Sequence, residues 1–356
     1  MANTFSQIYL QYVFAVKHRQ ASIPRQQKDK LDKYFARLVQ IRKAKMLEIK
    51  LGYIKHWVSL SVVSVLVSCA HSPQQPSDAF KRTWYAGKAE LSSYNLQQAR
   101  YGEIRNGEAA IIFVTEDFSI KKLVKLDDPE KSSKKVRVLK MNMTKKFFTG
   151  IYPYSMMLSV FTPVSKNGDA KTLKADCSSQ EWCGHTFSKL GLNGNNYTWN
   201  LHSYFEKEGE QIKKLDDVLL EDELWNRIRI NPSQLPQGKV SLIPGLFWQR
   251  LSHAPIREEE AILSLSPDTI NKKDDSAQLY TIHYPGAKRT LQIFFQAVFP
   301  YEILGWQETY PDGGRNNNGM LTTKAFRKKK LWIDYWKHNA NADSLYRDSL
   351  QLLRYD

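Results

Sequence analysis

Hydrophobic and polar residues alternate along much of this chain, a pattern typical of strands with one buried face. In RTLQIFFQA, Leu291, Ile293 and Phe295 point one way, while Gln292 and Gln296 point the other. The same period of two recurs in EAAIIFVTEDF, KVRVLKMNMT, SMMLSVFTPV and NYTWNLHSYF. These runs are separated by turn-forming segments, namely GIYPYS, KNGD, LNGNN, NPSQLPQG, NKKDDSAQ and PDGGRNNNG. The pattern predicts antiparallel strands.

Two segments have helical spacing instead. Residues 214–228 place Leu220, Leu224 and Ile228 on one ridge, and residues 342–353 have a second apolar ridge. The acidic run Glu221-Asp222-Glu223 in the first segment is interpreted as an exposed helix face, because unpaired carboxylates are rarely buried. We therefore expect a mainly β (α+β) domain, built as a large curved antiparallel sheet or open barrel with a few helices at its edge.

A stretch near residue 60 has the order of features found in an export signal. Lys50 and Lys55 precede the uncharged run 57–67, which is rich in Val, Leu and Ser, and the polar segment HSPQQPSD follows Cys69. A basic flank, a short apolar run and a small-residue cleavage site describe a secretory signal. The run is too short to span a bilayer as a helix, which needs about 20 apolar residues.

The end of this stretch, Leu66-Val67-Ser68-Cys69, resembles the lipobox of bacterial lipoproteins. The resemblance implies diacylglycerol on the Cys69 thiol, cleavage before Cys69 and acylation of the new N-terminus. Ala70 follows the cysteine in place of an Asp that would signal inner-membrane retention. The resemblance thus implies an outer-membrane lipoprotein of a Gram-negative envelope, facing the periplasm or the exterior. The alternative is a buried strand that ends in Cys.

The residues before the signal have their own pattern. Alternating apolar residues predict a strand over 8–16, and helical spacing follows over 27–43. Ten Lys/Arg against two Asp give residues 1–45 a net charge of +8. The opening MANTFSQIYLQYVFAVKHRQASI resembles the N-terminus of IS200-like, single-tyrosine transposases, a family of ferredoxin-like nucleases that attack DNA with a tyrosine. That family holds a divalent metal with a His-hydrophobe-His pair, and no two histidines here are separated by a single residue.

We therefore interpret residues 1–45 as a transposase remnant without catalytic residues. If these residues are retained, their charge predicts weak, non-specific nucleic-acid binding through phosphates. The rest of the chain divides into a signal peptide with lipobox (46–68), a tether (69–83) and a β-rich lipoprotein domain (84–356). Twelve of the 52 Lys/Arg and three of the 36 Asp/Glu precede Cys69, which leaves 40 against 33 and a net charge of +7.

Lipidation of Cys69 leaves two cysteines, Cys177 and Cys183. An even pair in an oxidising compartment predicts a disulfide closing a small loop. The alternatives are two unrelated thiols, or a metal site that adds His185 and His202. The C-x5-C spacing lies outside the two-to-four-residue gap of most zinc sites.

The sequence contains no dinucleotide-binding, phosphate-loop, nucleophile-elbow or zinc-protease motif, so we predict no cofactor and no catalytic residues. Segments from WYAGKAELSSYNLQQARYGEIRNGEAAIIFVTEDF to FPYEILGWQETY resemble bacterial lipoproteins often labelled septum formation inhibitor Maf. True Maf proteins are nucleotide pyrophosphatases with an S-x-S-P-R-R signature. Here Ser264-Leu265-Ser266-Pro267 is followed by Asp268-Thr269, so that activity is disfavoured. We expect a non-enzymatic protein that binds a lipid, glycan or envelope protein on a β scaffold.

Overall fold

The computed structural model describes residues 8–12, 63–67, 76–132, 134–165, 170–216, 218–268, 276–312 and 319–353. The chain divides into two compact units, Met1–Pro73 and Gln74–Asp356. In the first unit, β1 (Ile8–Tyr12) pairs antiparallel with β2 (Val63–Val67), so that Ile8 lies opposite Val67. The predicted strand of the transposase-like segment and the end of the predicted signal therefore share a two-stranded sheet. The predicted helix over 27–43 lies outside the described residues.

The second unit is mainly β. Its strands are β3 (Ala89–Arg100), β4 (Glu103–Ser119), β5 (Val124–Lys125), β6 (Lys135–Thr149), β7 (Tyr152–Pro163), β8 (Lys174–Glu181), β9 (Gly184–Asn193), β10 (Asn196–Ser203), β11 (Glu210–Leu215), β12 (Leu219–Leu220), β13 (Gly238–Ile243), β14 (Glu259–Pro267), β15 (Ala277–Tyr284), β16 (Arg289–Gln296), β17 (Ile303–Pro311) and β18 (Met320–Ile333). Its α-helices are α1 (Asp78–Trp84), α2 (Glu223–Ile230), α3 (Leu246–Ser252) and α4 (Leu345–Ser349). Short 3-10 turns occupy Pro129–Lys131, Pro232–Gln234, Tyr335–Lys337 and Asn341–Ser344.

All sixteen strands described in this unit belong to one open sheet. The order is β11-β10-β9-β8-β7-β6-β4-β3-β18-β17-β16-β15-β14-β13-β12, with β5 paired to β4. Every pairing is antiparallel except the short one between β12 and β13. Neighbours in the sheet are mostly neighbours in sequence, because hairpins join them. The predicted large antiparallel sheet is confirmed.

The sheet curls around an apolar core. Alternation sets the inner face: in β16, Leu291 and Ile293 are buried in the main core. The two edge strands, β11 and β12, are separated in the chain by residues 216–218 alone. The four Cα–Cα steps from Leu215 to Leu219 cover about 14 Å at most, so the end of β11 and the start of β12 lie close together although the two strands are not paired. The curl brings both halves of the sheet to one core.

Helices α2 and α3 pack inside this curve. Helix α2 contacts β6 and β7, and α3 contacts β7 and β8. The Asn226 amide nitrogen of α2 donates to the Leu139 and Val160 carbonyls at 3.1 and 3.3 Å. Trp225 meets Trp306 of β17 edge to face, with ring centroids 5.6 Å apart. Both helices therefore fill the curve of the sheet, which corrects the predicted edge position of α2.

The predicted helix boundaries also need correction. The segment predicted as a helix over 214–228 contains the end of β11 and all of β12 before α2 begins at Glu223. Leu215 and Leu220 are buried in the main core at the two sheet edges, so the sheet takes them in preference to the helix. At the C-terminus, α4 covers only Leu345–Ser349 of the predicted 342–353. Among the described residues, no helix is long and apolar enough to cross a membrane.

Candidate functional site

A cluster of charged side chains lies inside the curved sheet. Arg289 of β16 donates from Nη1 and Nη2 to the Glu221 carboxylate at 2.5 and 2.7 Å. Its Nε donates to Glu308 of β17 at 2.7 Å, and the Tyr284 hydroxyl donates to Glu221 at 2.6 Å. All four residues are buried. One guanidinium therefore pairs with two carboxylates in the interior, and it contacts Glu221 through the bidentate geometry that arginine favours.

The expectation of an exposed acidic helix face at Glu221-Asp222-Glu223 is wrong. All three side chains are buried, because each has a partner, and the partners of Glu221 and Asp222 come from distant parts of the sequence. Asp222 Oδ2 accepts the Leu246 backbone N–H at 3.0 Å, and Glu223 pairs with Arg227 at 2.7 Å. Burial, reinforced by the neighbouring Glu221, raises the pKa of Asp222 to about 7.

The cluster borders a cavity of only 30 Å³, also lined by Lys145, Trp225 and Trp248. A water molecule needs about 10–15 Å³ on this measure, so the cavity has room for two or three waters. The cavity is therefore too small to hold a substrate of more than a few atoms. Burial lowers the pKa of Lys145. The positions of these charged groups indicate that the cluster joins the α2 and α3 region to the sheet.

A glycine makes this arrangement possible. A Cβ at Gly245, which precedes α3, would stand 2.4 Å from Glu221 Oε1 and 3.2 Å from Asp222 Oδ1. Such contacts are too short for ordinary van der Waals packing. Only glycine therefore lets the backbone at the start of α3 approach the acidic pair.

The two cysteines predicted to form a disulfide are free thiols. Cys177 is buried within β8, opposite Leu158 and Ser188, whereas Cys183 is exposed at the turn after β8. Extended chain from Cys177 to Glu181 covers about 13 Å, well beyond the roughly 7 Å that a disulfide allows between Cα atoms. The prediction failed because the intervening residues form a strand rather than a compact loop. Burial raises the pKa of the Cys177 thiol.

The other predicted site residues fall in the N-terminal unit. Leu66 and Val67 are the last two residues of β2, and Ser68 and Cys69 lie outside the described residues. The lipobox therefore stays a prediction from sequence. Within the described part of the chain, no group of three or more His, Cys, Asp or Glu residues is placed to hold a metal ion.

A row of apolar side chains occupies one end of the sheet. The hairpins β3-β4, β6-β7, β8-β9 and β10-β11 are adjacent in the sheet and antiparallel, so their turns share one end. With strands about 4.8 Å apart, successive tips are about 10 Å apart. We call the exposed apolar residues at these turns the tip row; they are between 43% and 78% exposed and comprise Tyr101, Phe148, Ile151, Trp182 and Tyr204.

The tips hold each other in place. A Cβ at Gly184 would come within 2.6 to 2.8 Å of three Tyr204 side-chain atoms, so the Tyr204 ring covers the backbone of the neighbouring hairpin. The Tyr204 N–H also donates to the His185 carbonyl at 3.3 Å. At the β3-β4 turn, the Tyr101 hydroxyl lies 2.9 Å from the Tyr154 hydroxyl of β7. The Arg100 guanidinium donates a hydrogen bond to each of these hydroxyls. These contacts give the row a fixed shape.

Reading the sequence alone did not find the tip row. Its local signals are an apolar residue beside a glycine at a turn, as in Tyr101-Gly102 and Gly150-Ile151. Each signal by itself is ordinary. The order of strands in the sheet is what places the four turns side by side.

Comparisons of the chain with protein-family models, with curated proteins and with solved structures found no match.

Proposed function

We propose that this protein is a lipid-anchored scaffold of the Gram-negative envelope, joined to the outer membrane through Cys69, and that its tip row contacts a lipid surface. It acts by binding, without a cofactor and without catalytic residues. The tip row is the observation that carries the proposal. Single exposed apolar residues are common, but here five large ones follow one another along one end of the sheet, and such clustering is typical of a protein or membrane contact.

The filled interior supports a scaffold in preference to a lipid carrier. A carrier needs an apolar cavity that accepts acyl chains. Here Trp225, Trp306 and Phe247 fill the space between α2, α3 and the sheet, and the charged cluster beside them is internally paired. Lipid binding is therefore assigned to the outer surface.

The composition of the tip row favours lipid over a protein partner. Trp and Tyr are the residues enriched at membrane–water interfaces, where an apolar ring is buried and its polar group stays wet. The tips project as separate points about 10 Å apart. A fluid lipid surface can surround such points, whereas a rigid protein surface would need a matching pocket for each of them. Charges near the turns have both signs, as in the 2.6 Å pair of Arg105 with Glu103, so apolar insertion dominates over attraction to anionic lipid.

Vesicle sedimentation tests the proposal. A chain starting at residue 69 with Cys69→Ser, verified to unfold cooperatively, is mixed with phosphatidylethanolamine–phosphatidylglycerol vesicles. The parent chain is expected to sediment with the vesicles. Trp182→Ser combined with Tyr204→Ser should lower the partition coefficient about tenfold or more, since burying one such side chain contributes about 1.5–3 kcal/mol.

Ile212→Ser is the matched control, because Ile212 is 79% exposed but lies within β11 rather than at a turn. Its binding should equal that of the parent, and about 1 M salt should change binding little. Failure of the parent chain to sediment, or an equal loss for the Ile212 control, would rule out membrane contact by the tip row. That result would indicate that the tip row contacts a protein partner instead.

A further inference from the structure

A cleft opens beside the Tyr204 hairpin, between the end of α3 and the inner face of strands β8 to β11. Its volume is 140 Å³. Since one water needs about 10–15 Å³, the cleft has room for about ten waters. Apolar walls come from Trp199, Leu201 and Leu246, and polar groups come from Arg250, Glu208 and Gln211. The cleft is separate from the charged cluster described above.

Arg250 reaches this cleft with hydrogen-bond donors that no described residue accepts. Its side chain is only 6% exposed, and Nε and Nη2 have no hydrogen-bond partner in the part of the chain that the structure describes. Nη1 lies 3.3 Å from His253 Nε2, and the nearest carboxylate, Glu181, is 3.8 Å from Nη2, which is an ion pair beyond hydrogen-bond distance. Buried donors left unsatisfied are costly, so a ligand that supplies acceptors stabilises this arrangement.

The free edge of the guanidinium defines the acceptor geometry. Nε and Nη2 carry parallel N–H groups, which together match two neighbouring oxygen atoms. A lysine at this position could supply a positive charge but could not supply the paired donors. The ligand therefore presents two oxygens side by side.

The charges around the cleft favour a neutral ligand. The cleft is lined by the cations of Arg250 and Lys207 and by the carboxylate of Glu208, and the Glu181 carboxylate lies 3.8 Å from Arg250 outside the lining. Burial would raise the Glu208 pKa, but hydrogen bonds from Ser203 and His253, both at 2.5 Å, outweigh burial and lower it. Glu208 is therefore ionised at neutral pH, and its charge, together with that of the nearby Glu181, opposes an anion at Arg250. Vicinal hydroxyl groups supply two adjacent oxygens without charge.

We propose that the Arg250 cleft binds one ring of a neutral sugar, as part of an envelope glycan. Two adjacent ring hydroxyls accept from Arg250 Nε and Nη2, and the apolar C–H face of the ring packs against Trp199 and Leu201. This site goes beyond the proposed membrane contact and does not rest on it, because none of the tip-row residues lines the cleft.

Titration of the purified full-length chain tests the site, with ligand-observed saturation-transfer NMR and calorimetry as readouts. The probes are two neutral tetrasaccharides, of N-acetylglucosamine and of α-1,4-linked glucose, together with glucuronate and inorganic phosphate. At least one neutral tetrasaccharide is expected to bind more tightly than glucuronate and phosphate. Arg250→Lys keeps the charge but loses the paired donors, so it should weaken binding at least about tenfold.

A second variant avoids altering the buried arginine. Gln211 is exposed at the rim of the cleft, and Gln211→Trp should block entry while leaving the fold intact. The control is Arg257→Lys. The Arg257 side chain lies outside the cleft and is 66% exposed, so this variant should bind the probes as the parent does. Binding of glucuronate or phosphate alone, an absence of binding to every probe, or unchanged affinity in both Arg250→Lys and Gln211→Trp would each overturn the proposal.

Discussion

Arg289 and Glu221 form a bidentate ion pair in the interior of the sheet, although 68 positions separate them in the chain. The pair joins β16 to the segment that begins α2, and Glu308 shares the same guanidinium. Burying such charges is costly unless every partner is in place. The cluster therefore makes the packing of α2 and α3 against the sheet depend on a few specific residues.

Removing the arginine should destabilise the domain strongly. Arg289→Met leaves Glu221 and Glu308 buried without their cation, and we expect the free energy of unfolding to fall by about 3–5 kcal/mol. Urea denaturation followed by tryptophan fluorescence measures this. The control is Arg257→Met, which breaks an exposed pair with Glu259 and should cost less than about 1 kcal/mol. Similar losses for the two variants would mean that the buried pair contributes nothing special.

Gly245→Ala should disturb the same pair without removing a charge. The added methyl group would meet Glu221 Oε1 at 2.4 Å and push the carboxylate away from Arg289. We expect a loss of about 3 kcal/mol or more in the same urea assay, the cost of breaking a buried pair. At Gly286 a Cβ meets nothing within 4 Å, so Gly286→Ala should stay within about 0.5 kcal/mol of the parent. Equal stability of the two alanine variants would contradict the close approach.

Asp222 predicts how stability depends on pH. Its pKa is about 7 in the folded state, against 3.8 for an ordinary Asp, so between these values the folded protein holds a proton that the unfolded chain has released. This contribution to stability is complete below about pH 4 and is lost as pH rises to about 7. Asp222→Asn keeps the oxygen that accepts the Leu246 N–H and removes the titration.

The stability of Asp222→Asn relative to the parent should therefore increase as pH rises. The quantity to compare is the free energy of unfolding of the variant minus that of the parent. This difference should be greater at pH 8 than at pH 4 by on the order of 2–4 kcal/mol. Using the difference between the two proteins cancels the titration of all other groups. A difference that does not change with pH would show that Asp222 titrates normally.

The thiols should react at very different rates. Cys183 is exposed and Cys177 is buried, so a maleimide should label one thiol quickly in the folded Cys69→Ser chain and the second only after unfolding. Peptide mass spectrometry identifies which thiol is labelled first. A protein purified without reductant in which neither thiol reacts, even when unfolded, would restore the disulfide.

Alternation in the sequence predicted the strands well, because a strand with one buried face must show it. Leu291 and Ile293 of β16 are examples. The positions of α2 and of the acidic run could not be predicted. The partner that allows Glu221 to be buried is Arg289, which comes from a distant strand, and no local pattern reports such a contact.

The disulfide prediction was wrong, and the tip row was not predicted, for a related reason. A spacing of six residues suits a disulfide in a loop but not in an extended strand, and Cys177 lies within β8. Trp182 and Tyr204 become neighbours only through the order of hairpins in the sheet. Patterns along one segment predict that segment, whereas surfaces and clusters depend on which segments meet.

Lipidation of Cys69 is the claim on which the proposed location rests, and the mass of the N-terminal tryptic peptide tests it most directly. Trypsin cleaves after Lys55 and Lys81, so one peptide from the membrane-extracted protein must contain residue 69. We expect a peptide that begins at Cys69, with diacylglycerol on the thiol and an acyl group on the amine. An intact 56–81 peptide with an unmodified thiol, as the main species, would contradict the lipid anchor.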